Sequence, residues 1–486
     1  MTAALQALAA VAVAGYVLAT LTLTGLGLHA FVLAVVRSAL PRRPLPTATP
    51  EAWPDLVVQL PVYDEPAALV RRALDAALAT DYPGRVEVQL LDDSPPAARR
   101  ENARFCADRH RRGVRHLPRA SRDGFKAGAL AWGLAHTSAP LAAVFDVDFR
   151  PAPGFLRQLV AALVADPGLA FVQARWHHDP EPTVLALAQA AVLDVHFAVE
   201  QAGRDRAGLP LVFNGTAGAW RVAAIEDAGG WSGETLAEDS DLALRAQARG
   251  WRARLVEDAQ APADLPATVG AWRRQQARWA KGLVEVARLR LGTLWRSPLP
   301  LRSRAAFSAH LALSLSLPAL LALIVLHPAV GLAAAAGWVP RATFALLSVG
   351  YLALGGLVTA HVVAMRALYP DWRTRWRRIP AAMLAPVALV IPVSRAVWQA
   401  VRGTRTAFQR TPKSLTAQRG PAAGRAEAAL AAYSALGLAA VASAGAWGAV
   451  PFQALLAVGT AGAAWAVRRP PPVAEAFARE PVARAA

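Results

Sequence analysis

Two aspartates after an apolar run are the residues of this sequence best placed to bind a metal ion. The run from Leu141 to Phe145 contains no charge, and Asp146-Val147-Asp148 follows it. If the run is a β-strand, both carboxylates lie at its carboxyl end, where open α/β sheets bind their ligands. Carboxylates at this spacing offer hard oxygen donors to Mg²⁺ or Mn²⁺ carrying a diphosphate. The alternative is a solvated turn, and the rest of the chain decides between the two.

A second acidic pair and a lysine have the composition of a nucleotide site. Asp92 and Asp93 end another apolar stretch, and carboxylates there could hold a ribose or a base. Lys126 stands between Gly124 and Gly128, which would let the backbone approach a diphosphate closely while the ammonium faces it. Each stretch taken alone is equally compatible with an ordinary turn.

Lysine is rare in this chain. Only Lys126, Lys281 and Lys413 occur among 52 lysine and arginine residues, so arginine supplies the general surface charge. Each lysine therefore indicates a role that the wide planar guanidinium cannot fill. Chance under a compositional bias is the alternative, but all three lysines lie inside or beside motifs identified on other grounds.

Two later stretches have residues that could act on a sugar. Glu238-Asp239-Ser240-Asp241 opens a predicted helix that runs from Leu242 to Arg249. These acids either stabilise the helix dipole or supply a general base for a hydroxyl group. Before them lies a loop of small polar residues, Phe213 to Gly218, which is either a plain turn or a place where a flat polar substrate passes close to backbone.

A basic amphipathic helix is predicted from Thr268 to Arg296, at the membrane interface or against the soluble domain. It carries Gln275-Gln276-Ala277-Arg278-Trp279, in which Gln275 and Arg278 share a face. Arginine binds phosphate oxygens in a bidentate manner, and an indole ring can stack on a sugar. A membrane-anchoring tryptophan is the alternative for Trp279.

The composition is that of a membrane protein rather than of a nucleic-acid-binding protein. Of the 486 residues 55% are hydrophobic, and the formal charge is +18. Much of the excess arginine flanks apolar stretches, as the positive-inside rule demands, so we expect no nucleic-acid partner. Cys106 is the one cysteine, which excludes an internal disulfide and a cysteine-based metal site.

Five apolar stretches are long enough to cross a membrane. They are residues 5–36, 305–335, 343–365, 428–446 and 452–467. A sixth, 381–400, contains two prolines and an arginine, and we expect it to be re-entrant because basic loops flank it on both sides. Six full spans are the alternative. The arginines at 37, 42 and 43 predict an outside N-terminus and a cytoplasmic domain after the first span.

The region between the first two spans predicts an α/β fold. Short apolar strands are expected at Leu56 to Leu60, Val86 to Leu91, Ala142 to Phe145 and Leu169 to Val172, and helical stretches separate them. This alternation is typical of a mostly parallel sheet. No Gly-x-Gly-x-x-Gly follows the first strand, so a dinucleotide cofactor is not expected.

Taken in order, these elements resemble the membrane-bound family 2 glycosyltransferases, the processive β-glycan synthases. The matching stretches are Gln59-Leu60-Pro61-Val62-Tyr63-Asp64-Glu65, Leu91-Asp92-Asp93-Ser94, Lys126-Ala127-Gly128-Ala129, Asp146-Val147-Asp148, Glu238-Asp239 and Gln275-Gln276-Ala277-Arg278-Trp279. Asp194-Val195-His196-Phe197, Phe213 to Arg221 and Gly229-Gly230-Trp231 resemble the cellulose-synthase-like A mannan and glucomannan synthases. The resemblance implies a GT-A-type, Rossmann-like cytosolic catalytic domain inserted between transmembrane helices.

The resemblance also implies a role for each matching residue. Asp239 and Asp93 are the expected catalytic residues: Asp239 would be the general base, and Asp93, with Asp92, would hold the nucleotide. Asp146 and Asp148 would bind the donor diphosphate and its Mg²⁺ or Mn²⁺. The other expected substrate-binding residues are Lys126 at the diphosphate, Gln275 and Arg278 at the pyrophosphate, Trp279 on the acceptor's terminal sugar, and Thr411 and Lys413 over the bound nucleotide.

The sequence departs from the family's motifs at three places. Phe408 to Lys413 resembles the gating loop Phe-x-Val-Thr-x-Lys of cellulose synthases, with Arg410 where valine is usual. Ala237 stands where threonine is usual before Glu-Asp, although the mannan synthases also lack that threonine. Arg122 to Phe125 lacks the histidine that some members carry before the lysine. None of these changes removes an expected catalytic group.

The expected organisation and reaction follow from the resemblance. The parts are an N-terminal transmembrane helix and linker (1–45), a catalytic domain (46–265), interfacial helices (266–300), a transmembrane bundle (301–469) with gating loop 403–418, and a disordered tail (470–486). We expect inverting, processive transfer of a hexose from UDP-glucose or GDP-mannose to a β-linked polysaccharide that is exported. A non-processive enzyme with a lipid-linked acceptor is one alternative, and a transporter or receptor is another. We expect the chain in the plasma (inner) membrane, in contact with its lipids.

Overall fold

Apolar runs between Leu56 and Pro262 form one mixed sheet. The computed structural model describes residues 2–45, 50–178, 183–340, 342–343, 347–404, 406 and 424–469. The strands are β1 Leu56–Val62, β2 Val86–Asp92, β3 Val114–Pro118, β4 Leu141–Val144, β5 Leu169–His177, β6 Gly218–Arg221 and β7 Arg252–Pro262. They lie in the order β3-β2-β1-β4-β6-β5-β7. β6 is antiparallel to both of its neighbours, and the other pairs are parallel.

Helices precede the sheet and alternate with its strands. They are α1 Thr2–Ala39, α2 Ala67–Leu78, α3 Pro96–Ala107, α4 Phe125–Leu134, α5 Phe155–Ala165, α6 Val184–Val195, α7 Ala202–Ala207, α8 Val222–Asp227 and α9 Glu238–Ala248. A π-helical turn, His196–Gln201, joins α6 to α7. The four strands expected from the sequence are confirmed, and β3, β6 and β7 are additional.

The second half of the described chain is helical. It contains α10 Val269–Arg296, α11 Leu301–Ala312, α12 Ser316–Ala335, α13 Gly350–Leu368, α14 Arg378–Leu384, α15 Val390–Val401, α16 Arg425–Ser443 and α17 Val450–Arg468. The 3₁₀ turns Leu313–Leu315, Trp372–Arg377 and Ala385–Leu389 interrupt or join these helices. The long helix predicted from Thr268 is confirmed as α10, and the Thr268 hydroxyl caps it by accepting a hydrogen bond from the Ala271 N–H.

Among the described residues, seven helical stretches are long and apolar enough to cross a membrane. They are Ala3–Ala39, Val184–Ala207, Leu301–Ala335, Gly350–Leu368, Trp372–Val401, Arg425–Ser443 and Val450–Arg468. The chain is therefore a membrane protein. Val184–Ala207 was not among the stretches expected from the sequence. The re-entrant course of 381–400 and the domain boundaries stay predictions, and tail 470–486 lies outside the described residues, as does most of the proposed gating loop.

The centre of the sheet is buried on both faces, as is usual for parallel strands covered by helices. Gln59 of β1 is fully buried, and its side-chain amide donates to Gln89 Oε1 and to the Leu130 carbonyl, both at 3.2 Å. Gly133 of α4 packs against this pair: a Cβ built there would lie 2.4 Å from Gln59 Nε2. This contact fixes α4, the helix that carries Lys126, against β1 and β2.

We predict that Gly133→Ala destabilises the protein by about 1–3 kcal/mol, because the added methyl overpacks a buried polar pair. Thermal unfolding of the purified protein checks this. Gly292→Ala is the matched control: Gly292 also lies within a helix, but a Cβ there meets nothing within 4 Å. That change should be neutral or stabilising. Equal melting temperatures for the two variants would contradict the packing argument.

Candidate active site

One large cavity begins at the carboxyl ends of the sheet strands and continues between the apolar helices. Its volume is about 2000 Å³. The catalytic-domain side is lined by Asp93, Lys126, Asp146, Asp148, Gly215, Glu238, Asp239, Gln275, Arg278 and Trp279. The membrane-helix side is lined by Tyr16, Leu320, Ile324, His327, Pro386, Phe452 and Leu456. The structure thus brings eight of the eleven residues expected at the site into one space.

Lys126 is the central cation of this cavity. Its ammonium donates to Asp146 Oδ1 at 2.6 Å and to the Gly215 carbonyl at 2.9 Å. Burial alone would lower the pKa of Lys126, but the negative charges of Asp146, Glu238 and Asp239 outweigh it and hold that pKa above its usual value. The lysine is therefore a fixed positive charge at neutral pH.

Gly215 lies against both Lys126 and Asp239. Its backbone is left-handed, with φ +77°, and an added Cβ would lie 2.8 Å from Asp239 Oδ2 and 3.6 Å from Lys126 Nζ. The neighbouring Thr216 hydroxyl accepts a hydrogen bond from the Asp146 N–H at 2.9 Å. The small-residue loop noted in the sequence therefore lies next to both the carboxylate and the ammonium, and glycine is required there for space and for conformation.

Asp239 has the environment of a general base. It lies in the first turn of α9, and its Oδ1 accepts a hydrogen bond from the Ser240 N–H at 2.7 Å. Burial and, next, the adjacent Glu238 charge raise the pKa of Asp239 to about 7, against the opposing effects of Lys126 and Arg278. A carboxylate with a pKa near neutrality accepts protons efficiently at physiological pH.

The two aspartates that end β2 have different surroundings. Asp93 lines the cavity and forms a bidentate ion pair with Arg119, which donates from Nε at 2.7 Å and from Nη2 at 2.5 Å. Asp92 is fully buried and accepts hydrogen bonds from the Ser94 N–H, Asn102 Nδ2 and the His116 ring. These bonds hold the pKa of Asp92 below its usual value despite its burial. Asp92 therefore supports the strand end rather than facing the cavity.

Helix α10 carries the aromatic side of the site. Gln275, Arg278 and Trp279 line the cavity, and the ring centroid of Trp279 lies 6.4 Å from that of Trp176 on β5. The next turn of α10 touches the segment before Asp239: a Cβ at Gly282 would lie 2.7 Å from that of Ala237, and Glu285 accepts from the Leu236 N–H at 2.8 Å. The helix therefore fixes the positions of Gln275 to Trp279 and of Asp239 relative to each other.

Of the other two lysines, Lys281 lies within the described residues and Lys413 does not. Lys281 is 3% exposed, and its ammonium donates to the Thr404 carbonyl at 2.8 Å and to the Thr406 hydroxyl at 2.7 Å. It therefore fastens the segment after α15 to α10. Thr411 and Lys413, which were expected over the bound nucleotide, lie outside the described residues.

The carboxylates of Asp146 and Asp148 suit a metal ion that arrives together with a diphosphate. The Asp146 side chain is 36% exposed and Asp148 is 6% exposed. In the described part of the chain, no group of three or more His, Cys, Asp or Glu side chains is placed to hold an ion. Mg²⁺ is commonly held by one or two carboxylates together with substrate phosphates. The pair therefore fits a diphosphate-bound ion better than a resident one.

Two residues of the site were not singled out from the sequence, and the effect of a third was not foreseen. Arg119 pairs with Asp93, Trp176 stands beside Trp279, and the charge of Glu238 adds to burial in raising the pKa of Asp239. Arg119 and Trp176 carry no local signal, because they occur in stretches with no motif. Glu238 was visible as the neighbour of Asp239, yet its effect depends on the burial of both groups.

Two family models match the chain. "Glycosyl transferase family 2" matches residues 57–226, and "Glycosyl transferase family group 2" matches residues 143–356. Glucomannan 4-beta-mannosyltransferase 1 of Oryza sativa subsp. japonica is 37% identical over 273 residues, covering 52% of each chain. Glucomannan 4-beta-mannosyltransferase 2 of Arabidopsis thaliana is 39% identical over 238 residues, covering 47% of this chain and 44% of that one. The chain thus spans about half the length of these curated relatives.

A solved structure shares the fold. It is the mannosyltransferase PcManGT from Pyrobaculum calidifontis in complex with GDP-Man and Mn²⁺, with a TM-score of 0.54 and 24% identity over 78% of this chain and 99% of that one. At this identity the likeness concerns the fold, and it confirms the GT-A-type domain expected from the motifs. The two matches to family models, the ordered motifs and the mixed sheet all indicate the same family. The chain belongs to glycosyltransferase family 2.

Proposed function

We propose that this protein is an inverting hexosyltransferase that extends a β-linked polysaccharide from a nucleotide sugar, with GDP-mannose as the donor. The observation that carries the proposal is the placement of Asp239 and Lys126 against the same glycine, Gly215, in a cavity that continues between the apolar helices. The relatives named as mannosyltransferases, and the neighbour in complex with GDP-Man, favour GDP-mannose over the other donor, UDP-glucose.

The chemistry follows from the two charged groups next to Gly215. An acceptor hydroxyl beside Asp239 attacks the anomeric carbon of an α-linked donor, and its proton passes to the Asp239 carboxylate. The bond to the diphosphate breaks, and the negative charge that develops is stabilised by Lys126 and Arg278. A single displacement inverts the anomeric centre and gives a β-linkage.

Asp146 and Asp148 would hold Mg²⁺ or Mn²⁺ against the donor diphosphate. When bound, the ion neutralises charge on the leaving group. Lys126 already holds Asp146 in place at 2.6 Å, so this carboxylate is oriented before donor and ion arrive.

The acceptor would remain bound between rounds. Trp279 and Trp176 offer aromatic faces to a sugar ring, and the cavity leads from them to the membrane helices. A growing polysaccharide would therefore enter the helix bundle and be exported. Transfer of a single sugar to a lipid-linked acceptor is the second candidate, because the same cavity is open to apolar helices and so to membrane lipids.

The catalytic domain would face the cytoplasm, at the plasma (inner) membrane. Arg37, Arg42 and Arg43 follow α1 directly, and basic residues next to a span favour the cytoplasmic side.

Product analysis tests the function. Membranes containing the protein are incubated with a panel of nucleotide sugars, and we expect GDP-mannose to give a β-linked polymer in linkage analysis. Asp239→Asn should lower kcat by about 10²–10⁴-fold with donor binding largely kept, because only the proton acceptor is lost. Asp227→Asn, an exposed aspartate remote from the cavity, is the matched control. A product consisting only of monoglycosylated lipid would refute the polymer, and loss of donor binding in Asp239→Asn would refute the base assignment.

The pH dependence should follow Asp239. Its carboxyl must be deprotonated to accept a proton, so kcat/KM should fall about tenfold per pH unit below about 7 and level off above it. Glu238→Gln removes a charge that raises this pKa, and the acidic limb should move to lower pH. The exposed Glu226→Gln should leave the limb in place. An acidic limb that Glu238→Gln does not move would count against Asp239 as the titrating group.

Divalent cations should be required. Chelation by EDTA is expected to abolish turnover, and Mn²⁺ or Mg²⁺ to restore it, because the ion would neutralise negative charge between the donor diphosphate and the two carboxylates. Asp148→Asn should raise the Mn²⁺ concentration needed for half-maximal activity. Full activity in EDTA would exclude the metal role of Asp146 and Asp148.

A further inference from the structure

A chain of hydrogen bonds runs from a carboxylate among the apolar helices to the Gly215 loop. Glu200 contacts His196, His196 contacts Asn214, and Asn214 is joined directly to Gly215. We propose that Glu200, His196 and Asn214 form a positioning network that sets the place of Gly215 against Asp239 and Lys126. This inference rests on the proposed function, because it concerns the rate of sugar transfer next to that glycine.

The direction of each hydrogen bond can be assigned. Gln201 Nε2 donates to the Val212 carbonyl at 2.7 Å and to Asn214 Oδ1 at 2.8 Å. The Nδ2 group of Asn214 therefore faces His196 and donates to its Nε2 at 2.8 Å. An accepting Nε2 leaves the ring proton on Nδ1, which donates to Glu200 Oε2 at 2.9 Å. Glu200 thereby selects the tautomer that can receive Asn214.

Glu200 is held from three sides. His310 Nδ1 lies 2.7 Å from Glu200 Oε1, and Arg204 Nη2 lies 3.4 Å from the same oxygen. The carboxylate is 12% exposed and belongs to Val184–Ala207, one of the stretches apolar enough to cross a membrane. Ionisable groups in such stretches are costly to keep and commonly mark a functional site. Glu200 also lies in the π-helical turn, and such turns often occur at functional sites.

The far end of the network reaches Lys126 and Asp239. The Asn214 N–H donates to Gln173 Oε1 at 2.9 Å, and the next carbonyl, that of Gly215, accepts from Lys126. Because Asp239 Oδ2 lies against the same glycine, a shift of Asn214 would move Gly215 relative to both groups. Misplacement by about 1 Å of groups that align reactants can cost about 100-fold in rate. His196 and Asn214 also line the cavity, so the network borders the reacting space.

The test compares three variants with one control. Glu200→Gln removes the carboxylate, His196→Asn keeps a donor near the Nδ1 position but no acceptor for Asn214, and His196→Gln keeps an acceptor near the Nε2 position. Glu257→Gln is the control, because Glu257 is a comparably buried carboxylate (16% exposed) paired with Arg37 and Arg42 away from the large cavity. For each purified protein we measure kcat for mannosyl transfer, the Kd of GDP-mannose and the melting temperature.

We expect Glu200→Gln and His196→Asn to lower kcat by about 10–100-fold, with the donor Kd within about threefold of wild type. His196→Gln should recover most of the lost rate, and Glu257→Gln should equal wild type. If Glu200→Gln does not fold, the two His196 variants decide. Wild-type kcat in His196→Asn would overturn the network but leave the proposed function standing. An equal loss of kcat in both His196 variants, together with weaker donor binding, would do the same. A wild-type protein that transfers no sugar from any donor would overturn the proposed function and the network with it.

Discussion

The candidate active site depends on one place where no side chain fits. At Gly215 an added Cβ would lie 2.8 Å from the Asp239 carboxylate and 3.6 Å from the Lys126 ammonium. The two groups belong to different helices, α9 and α4, which lie more than a hundred residues apart in the sequence. The absence of a side chain at Gly215 therefore lets the proposed base and the proposed diphosphate-facing cation approach the same point of the backbone.

The contacts next to Gly215 explain why residue 126 is a lysine in a chain that otherwise uses arginine. The Lys126 ammonium contacts Asp146 Oδ1 and the Gly215 carbonyl as a compact point charge. A guanidinium is wide and planar, and would need room that the adjacent backbone occupies. Asp93, by contrast, is paired with Arg119 through two parallel hydrogen bonds, for which the fork of an arginine is well suited. Each cation is thus matched to the shape of its partner.

The sequence predicted the elements that have a local pattern. Apolar runs identified β1, β2, β4 and β5, and the acidic start of α9 and the start of α10 after Thr268 were predicted from the residue pattern. It did not predict β6, whose four residues pair with β4 and β5 only through long-range contacts. The sequence also suggested one nucleotide site for both Asp92 and Asp93. Adjacent residues of an extended chain point to opposite faces, but the sequence does not show which face is buried, so it could not tell which aspartate faces the cavity. The electrostatics of Asp239 arise from burial and from Glu238, which only the assembled cavity combines.

The junction between α1 and the sheet domain has a practical consequence for anyone who isolates the catalytic part. Leu33 and Ala34 of α1, Ala198 and Val199 of the π-helical turn, and Ala360 and Ala364 of α13 form one hydrophobic cluster. Arg37 reinforces it by donating to the Ala198 carbonyl at 3.0 Å. A fragment limited to residues 46–265 would keep only Ala198 and Val199 of these six residues, expose them to water and leave the π-helical turn without its packing partners from α1 and α13. The soluble enzyme and its membrane helices are therefore better regarded as one folding unit than as an enzyme with an anchor.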